Sequence, residues 1–329
     1  MYRMHEIDRK TYSILKILSA AKEPVGSAEL SVKLKDFGVE LTERAVRYHL
    51  KLMDEEGLTS AKWKEGRTIT QKGLEELDNA LVSDKVGFVI SKVESMSYQM
   101  GFDLARKKGD VILNLSFIPQ TKFMESLETI KKVYQKGFSF GSKIAVIKRS
   151  EEIPDIELPA GKIAIGTLCS INLNGILLKH GIPVESKFGG VLQIEKNEPL
   201  RFTELVSYSG STLDPLEIFI KSKMTNINGV LSSGSGKVMA SFREIPAVSR
   251  RDAELVFKKS AEVGLGSAFV IGKPGQSLLG IPVGIGRMGV VVLGGLNPLA
   301  AVEEQGIETE NKALTCLIAF EELKDIEEI

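Results

Sequence analysis

Residues 41–53 are LTERAVRYHLKLM, and this stretch decides the fold expected for the N-terminal part of the chain. Thr42 is a favoured residue type at a helix N-cap, and Leu41 and Val46 occupy the two positions of a hydrophobic staple. At about 100° per residue, an apolar face then lies opposite a basic face. The apolar face consists of Val46, Leu50 and Met53, and the basic face of Arg44, Arg47, Tyr48 and Lys51. The stretch therefore predicts a helix anchored on one side and carrying cations on the other.

The segments around this helix complete a small fold. Asp8 is expected to cap a helix that ends near Ala21, and Ser27 opens a second helix through about Lys35. The inward face of that second helix is expected to consist of Ala28, Leu30, Val32 and Leu34. Residues 58–70 predict a β-hairpin with a turn at Glu65-Gly66-Arg67. Three helices and a basic hairpin predict a winged helix-turn-helix DNA-binding domain over residues 1–80.

Double-stranded DNA is the partner that this charge pattern favours. The third helix is expected to enter the major groove, while cations on the helix and the wing meet phosphates. Side chains at the helix start are expected to contact base edges. The predicted DNA-binding residues are Thr42, Glu43, Arg44, Arg47, Tyr48, Lys51, Lys62, Lys64 and Arg67. A solvated charged face, or a winged helix that binds another protein, remains the alternative.

Residues 81–108 predict a linker helix. Ser83-Asp84 is a candidate cap, and the apolar face that follows consists of Val86, Val89, Ile90, Val93 and Met96. Such a helix would either join the DNA-binding domain rigidly to the rest of the chain or form the seam of a homodimer.

Residues 109–329 contain an internal repeat, with copies at about 109–195 and 236–320. Gly109-Asp110-Val111 recurs as Gly236-Lys237-Val238, an offset of 127, and from Gly141 onward the offset is 125 without a gap. Each copy predicts the order β-α-β-β-α-β, which is the ferredoxin-like split pattern. The predicted fold class is α+β: an N-terminal winged helix-turn-helix followed by a regulatory domain of two tandem βαββαβ-like repeats. Residues 199–231 connect the copies and contain a helix that opens at Asp214-Pro215.

Composition and motifs argue against several function classes. The chain has 329 residues, with 43 Lys and Arg against 43 Asp and Glu, so a general nucleic-acid coat is not indicated. Cys169 and Cys316 form no CxxC motif, and there are only three histidines, so neither a metal site nor a catalytic centre is predicted. The GxGxxG at residues 284–289 runs into an apolar strand and not into a helix, so no dinucleotide cofactor is expected. The absence of a long apolar run and of a signal-like N-terminus favours a cytoplasmic protein with no membrane segment.

Small polar residues at strand–helix junctions are the candidates for an effector site. Free N–H groups at a helix N-terminus attract a carboxylate, and Arg287 is a candidate counter-charge. The predicted effector-binding residues are Ser170, Asn172, Ser211, Thr212, Arg287 and Asn297. Ordinary helix capping by Asn and Ser is the alternative for each of the polar residues.

The segments SGSTLDPLEIF at residues 209–219 and GGLNP at residues 294–298, together with the winged helix, resemble the NrpR-type nitrogen repressors of methanogenic and related archaea. The resemblance covers essentially the whole chain. It implies a homodimer that represses nitrogen-assimilation genes at palindromic operators and senses 2-oxoglutarate. Some members of that family carry two regulatory domains, whereas this chain has one. The resemblance therefore also implies a companion protein with further regulatory domains.

Three other functions remain open from the sequence. Paired βαββαβ modules of the ACT type bind amino acids, so an amino-acid-sensing transcription regulator fits the same repeat. An enzyme with an appended winged helix and a protein-interaction scaffold are the alternatives from other classes.

Overall fold

A computed structural model describes residues 9–21, 23–62, 65–79, 86–149 and 157–329. The chain divides into two compact units, Met1–Val86 and Gly87–Ile329. Within the described ranges, no helix combines the length and the apolar character that crossing a membrane would need.

The N-terminal unit has the predicted winged-helix order. Its elements are α1 (Arg9–Ser19), α2 (Ser27–Asp36), α3 (Glu43–Glu55), β1 (Thr59–Lys62), β2 (Gly66–Ile69) and α4 (Gln71–Asn79). Buried side chains from the first three helices, including Leu15, Leu30 and Leu50, form its core. The two strands pair antiparallel as the hairpin of the wing. The predicted cap at Asp8 lies outside the described residues.

Two details of this unit differ from the sequence-based expectation. On α2, Leu30 and Leu34 are buried, but Ala28 and Val32 are not. Residues two apart lie about 200° apart on a helix, so the predicted inward face mixed two opposite sides. Gly66, which was predicted to lie in the hairpin turn, already belongs to β2 and pairs with Lys62. A Cβ on Gly66 would lie 2.5 Å from the main chain of Val25, so the close approach of that segment explains the glycine.

The second unit contains two five-stranded sheets. In sheet order, the first consists of β11 (Glu310–Ala319), β3 (Asp110–Pro119), β5 (Lys162–Leu168), β4 (Lys143–Ile147) and β12 (Lys324–Asp325). The second consists of β7 (Glu198–Ser207), β6 (Glu185–Glu195), β8 (Gly236–Pro246), β10 (Arg287–Leu293) and β9 (Val270–Ile271). All the pairings within both sheets are antiparallel.

The two halves of this unit exchange their last strands. β6 ends the first series of elements but pairs with β8 in the second sheet, and β11 ends the second series but pairs with β3 in the first. Leu113 lies opposite Leu168 in one sheet, as Ala240 lies opposite Leu293 in the other. Leu113 and Ala240 are related by the offset of 127, and Leu168 and Leu293 by the offset of 125, so the two pairs occupy equivalent positions of the repeat. The halves are therefore interlocked, and not two tandem modules that each close on their own.

The helices of this unit are α5 (Phe88–Gln99), α6 (Phe123–Gln135), α7 (Asn172–Lys179), α8 (Pro215–Lys221), α9 (Ile227–Ser233), α10 (Arg250–Glu262) and α11 (Asn297–Glu304). One apolar core includes residues of both sheets, such as Leu113, Leu115 and Val290. The connection at residues 199–231 contains β7 and α9 in addition to the predicted helix at Asp214-Pro215. β7 was not predicted because Pro199 and its charged residues are atypical of a strand.

The helix predicted as a linker belongs to the second unit. α5 buries Val89 and Val93 and packs on α7, where a Cβ on Gly175 would lie 2.8 Å from Met100 Sδ and from Ser97 O. Glycine at that position therefore allows the close packing of α5 on α7. The second compact unit begins at Gly87, and the separate linker predicted for residues 81–108 remains a prediction. The candidate cap Ser83-Asp84 lies outside the described residues.

Candidate DNA interface and candidate effector site

The third helix of the N-terminal unit has the two faces that the sequence predicts. Thr42 Oγ1 accepts a hydrogen bond of 3.3 Å from Ala45 N and so caps α3. The apolar face, Val46, Leu50 and Met53, is buried. The opposite stripe, Arg44, Arg47, Tyr48 and Lys51, is exposed. Because the buried face is anchored in the core, the exposed stripe is displayed on a fixed scaffold.

Ion pairs along α3 hold parts of this stripe. Arg47 Nη2 lies 3.2 Å from Glu43 Oε1, and Lys51 Nζ lies 3.8 Å from Glu55 Oε1. Glu43 also accepts a hydrogen bond from Ser27 Oγ at 3.1 Å, at the start of α2. These pairs are solvent-exposed and hence weak, so the side chains can exchange them for phosphate or base contacts at little cost.

The wing residues divide into two kinds. Lys62 is exposed at the end of β1, and Lys64 lies outside the described residues. Arg67 Nε lies 3.0 Å from Asp54 Oδ2, and Asp54 also accepts a hydrogen bond from Thr59 Oγ1 at 2.5 Å. Arg67 therefore ties the wing to α3, and its predicted contact with DNA remains a prediction.

Two of the predicted effector residues, Asn172 and Asn297, have a structural role. Both are fully buried, at the first residues of α7 and α11. Asn172 accepts a hydrogen bond from Ile112 N and donates to Ile112 O and Cys169 O, at 2.7 to 2.8 Å. Asn297 accepts from Met239 N at 2.9 Å and donates to Met239 O and Phe138 O. Each amide group is thus engaged by main-chain groups, and the predicted role of the two residues as ligand contacts remains a prediction.

The remaining predicted effector residues are not brought together. Arg287 interacts with Glu185 Oε2 at 3.4 Å and with Glu244 Oε2 at 3.5 Å. It begins β10, and Leu293 at the other end of that strand is about 20 Å away at roughly 3.3 Å per residue. Ser211 hydrogen-bonds the main chain of Leu213 in a local turn, next to Thr212. Arg287 is therefore distant from the junction that carries Asn297.

Ser170 belongs to a buried polar network that the sequence-based interpretation did not identify. Its centre is Arg243 of β8, which is 1% exposed. Arg243 Nη1 donates to Ser170 O at 2.9 Å and to Asn174 Oδ1 at 2.6 Å. Arg243 Nη2 donates to Ser170 Oγ at 2.8 Å and to Ser241 Oγ at 3.1 Å. The guanidinium thus links the second sheet to α7, the helix that follows β5 of the first sheet.

Among the described residues, this network contains a cation but no counter-ion. Every hydrogen-bond partner of the guanidinium there is neutral. Arg243 Nε is buried without a hydrogen-bond partner in that part of the chain. Burial lowers the pKa of Arg243 to about 10, so the side chain stays cationic at neutral pH. An uncompensated buried charge is costly unless hydrogen bonds offset part of the cost of removing it from water.

Acidic groups near this network are shifted toward their neutral forms. Burial raises the pKa of the Cys169 thiol to about 12, and it raises the pKa of Tyr208 as well. Burial, together with the nearby Glu217, raises the pKa of Asp214 to about 7. At neutral pH, therefore, none of these three groups is a fully ionised counter-ion for Arg243.

Residues 86–325 match the family of NrpR regulatory domains NRD1 and 2. The chain belongs to the NrpR family. Residues 12–77 match the ribonuclease R winged-helix domain, in agreement with the fold of the N-terminal unit. The predicted family and the predicted winged helix are both confirmed.

Relatives with known names extend this assignment. The global nitrogen regulator NrpRI of Methanosarcina mazei is 37% identical over 98% of this chain and 99% of its own length. The global nitrogen regulator NrpR of Methanococcus maripaludis is 36% identical over 95% of this chain, which spans only 53% of that longer protein. The crystal structure of a nitrogen repressor-like protein from Methanococcus jannaschii matches with a TM-score of 0.62 and 30% identity, covering 72% of this chain and 98% of that one. This NrpR-family chain is accordingly a nitrogen-related transcription regulator, and its relatives are named as regulators.

Proposed function

We propose that this NrpR-family chain is a homodimeric repressor of nitrogen-assimilation genes that binds a palindromic operator through α3 and responds to 2-oxoglutarate. The observation that carries the proposal is the exposed basic stripe of α3, which a capped helix with a buried opposite face holds in place. The proposal places the protein in the cytoplasm with its operator. The relatives named as global nitrogen regulators support the choice of target genes.

A dimer explains both how the operator is recognised and how an effector controls operator binding. Two winged helices read a palindrome only when their spacing matches half-sites about 34 Å apart, or a multiple of that distance. A ligand can favour a dimer in which the two winged helices have another spacing. The resulting loss of operator affinity is then set by how much more tightly the ligand binds that dimer than the operator-binding one. 2-Oxoglutarate, as the signal of nitrogen limitation, would relieve repression in this way.

The test is a titration of a labelled duplex from the promoter of a nitrogen-assimilation gene of the same genome, followed by fluorescence anisotropy. Arg44→Ala combined with Arg47→Ala is expected to weaken binding about 100-fold, because each lost base or phosphate contact contributes about 1–3 kcal/mol. The variant should also show a shallower dependence of affinity on salt. Adding 2-oxoglutarate to the unaltered chain is expected to weaken binding about tenfold or more.

The matched control is Lys258→Ala combined with Lys259→Ala, which removes the same charge from the exposed side of α10 in the second unit. This control should bind the duplex like the unaltered chain. Unchanged binding by the Arg44 and Arg47 variant would refute the recognition-helix assignment. A response to amino acids in place of 2-oxoglutarate would favour the amino-acid sensor. If 2-oxoglutarate changes operator binding only after the companion protein is added, the sensing of 2-oxoglutarate requires this chain and the companion together.

A further inference from the structure

The wing is attached to the rest of the N-terminal unit by main-chain hydrogen bonds along β2. Val25, in the connection between α1 and α2, donates from its N to Arg67 O and accepts at its O from Arg67 N, each at 3.0 Å. At the base of the hairpin, Leu58 N donates to Met53 O at 2.8 Å. The hairpin is thus joined at its base and along β2, while β1 lies on the far side of β2 from Val25.

A single carboxylate of α3 holds both strands of the wing. Asp54 Oδ1 accepts a hydrogen bond from Thr59 Oγ1 of β1 at 2.5 Å, and Asp54 Oδ2 accepts from Arg67 Nε of β2 at 3.0 Å. Thr59 is buried, and the side chains of Arg67 and Asp54 are only 26% and 25% exposed. This ion pair is therefore less screened by water than the exposed pairs along α3, and it fixes how both strands are inclined to the helix.

Asp54 belongs to the same helix as the basic stripe. It follows Arg47 by seven residues, which places it about 10 Å further along the helix axis and about 20° away around it. The group that holds the wing is therefore in a fixed position relative to the side chains that are expected to contact DNA.

The hairpin has one face for attachment and one for display. Residues directly opposite each other in an antiparallel pair share a face, and successive residues alternate between faces. Ala61 lies opposite Arg67. Thr59 and Arg67 therefore share the face that meets Asp54, whereas the exposed Lys62 lies on the other face, about 10 Å from Thr59 at roughly 3.3 Å per residue. A change of inclination at Thr59 and Arg67 thus moves the ammonium group of Lys62.

We infer that Asp54 is a positioning residue for operator binding: by holding Thr59 and Arg67, it sets the inclination of the wing. At that inclination, Lys62 and the basic stripe of α3 contact the same duplex. The inference rests on the proposed function. Arg67 acts through Asp54 in this arrangement and not through a phosphate contact of its own.

The direction of the effect separates this role from direct electrostatics. Asp54→Asn removes a negative charge from a unit that binds DNA, so attraction between charges alone predicts an unchanged or a tighter complex. Loss of the wing position predicts a weaker complex. The variant should fold, because the main-chain bonds of Val25 remain and a carboxylate in the last turn of a helix does not stabilise that helix.

The test is a titration of the operator duplex with the full chain at several salt concentrations. Asp54→Asn and Arg67→Gln should each weaken binding about tenfold, and the two changes together should weaken it no further. Both variants should lose about one phosphate contact from the salt dependence, since Lys62 no longer reaches the duplex. Lys62→Gln should weaken binding by the unaltered chain about fivefold, and it should have no further effect in the Asp54→Asn background.

Asp36→Asn is the matched control, because it removes the same charge from the exposed last residue of α2. It should bind the duplex like the unaltered chain. The single tryptophan of the chain, Trp63, lies between β1 and β2 in the sequence and reports on the wing without DNA. Its fluorescence anisotropy decay should gain a faster component in Asp54→Asn and not in the control. Thr59→Val, which changes no charge, should show smaller changes in the same directions.

The outcomes distinguish this role from the proposed function. An Asp54→Asn variant that binds the operator as tightly as the unaltered chain would overturn the positioning role and leave the repressor function standing. A shallower salt dependence in Arg67→Gln but not in Asp54→Asn would assign Arg67 to a phosphate and would also overturn the role. An unchanged anisotropy decay of Trp63 in Asp54→Asn would do the same. An unaltered chain that does not bind the operator would refute the proposed function, and the positioning role with it.

Discussion

The two sheets of the second unit have the same central strand order but differ in what they bury at one matched position. The first sheet places Ser116 opposite Asn311, and the second places Arg243 opposite Ser186. The neutral pair closes on itself, whereas the guanidinium has four neutral hydrogen bonds and no counter-ion among the described residues. The shared topology thus places the same positions opposite each other in both sheets, while a single residue decides whether that position carries a buried charge.

The halves should be alike at the asparagines that open α7 and α11. Asn172→Ala and Asn297→Ala each remove three hydrogen bonds to buried main-chain groups. Ile112 O, Cys169 O and Met239 O each keep a hydrogen bond from a main-chain N–H. We expect each substitution to lower the free energy of unfolding by about 2 kcal/mol, measured by urea denaturation. A loss below about 1 kcal/mol in one half only would show that the two helices are not anchored equivalently.

The halves should differ when a carboxylate is introduced beside the matched position. Asn174→Asp gives Arg243 a counter-ion and is expected to raise the free energy of unfolding by about 2 kcal/mol. Asn311→Asp places the new charge next to Glu303, whose Oε2 now accepts a hydrogen bond from Asn311 Nδ2 at 3.5 Å. That variant is expected to lose about 1 kcal/mol. Equal effects of the two changes in thermal or urea denaturation would contradict the asymmetry.

A pH effect is expected from α8, which lies in the segment that connects the two copies of the repeat. Asp214 caps α8 by accepting from Leu216 N at 2.9 Å, and its pKa is raised to about 7 from the ordinary 3.8. Because the folded pKa is the higher one, this group's contribution to stability is full below about pH 4 and is lost as pH rises through about 7. Between pH 6 and pH 8 the loss should be about 1 kcal/mol.

Asp214→Asn tests this effect, since Asn is as good an N-cap as Asp and does not titrate in this range. The free energy of unfolding of this variant should change less between pH 6 and pH 8 than that of the unaltered chain. An identical pH dependence of the two proteins would show that Asp214 titrates normally.

The sequence predicted those features that depend on local spacing. The faces of α3 and most strands and helices of both halves follow from periodicities over a few residues. The exchange of β6 and β11 was not predictable, because the partner of a strand is not encoded in its own alternation. The main-chain contacts of Asn172 and Asn297 were not predictable, because an asparagine at a strand–helix junction has the same sequence pattern whether it meets a ligand or the main chain. Arg243 could have been noticed: alternation along β8 places it on the same face as Ile245, which is buried.

The most direct test of the account is the operator affinity of the full chain with and without 2-oxoglutarate, measured for the unaltered protein and for Arg44→Ala combined with Arg47→Ala. We predict that 2-oxoglutarate weakens operator binding by the unaltered chain about tenfold or more. The double variant should bind the operator about 100-fold more weakly than the unaltered chain when no effector is present. An unaltered chain that does not bind the operator, or a double variant that binds it as tightly as the unaltered chain, would contradict the account.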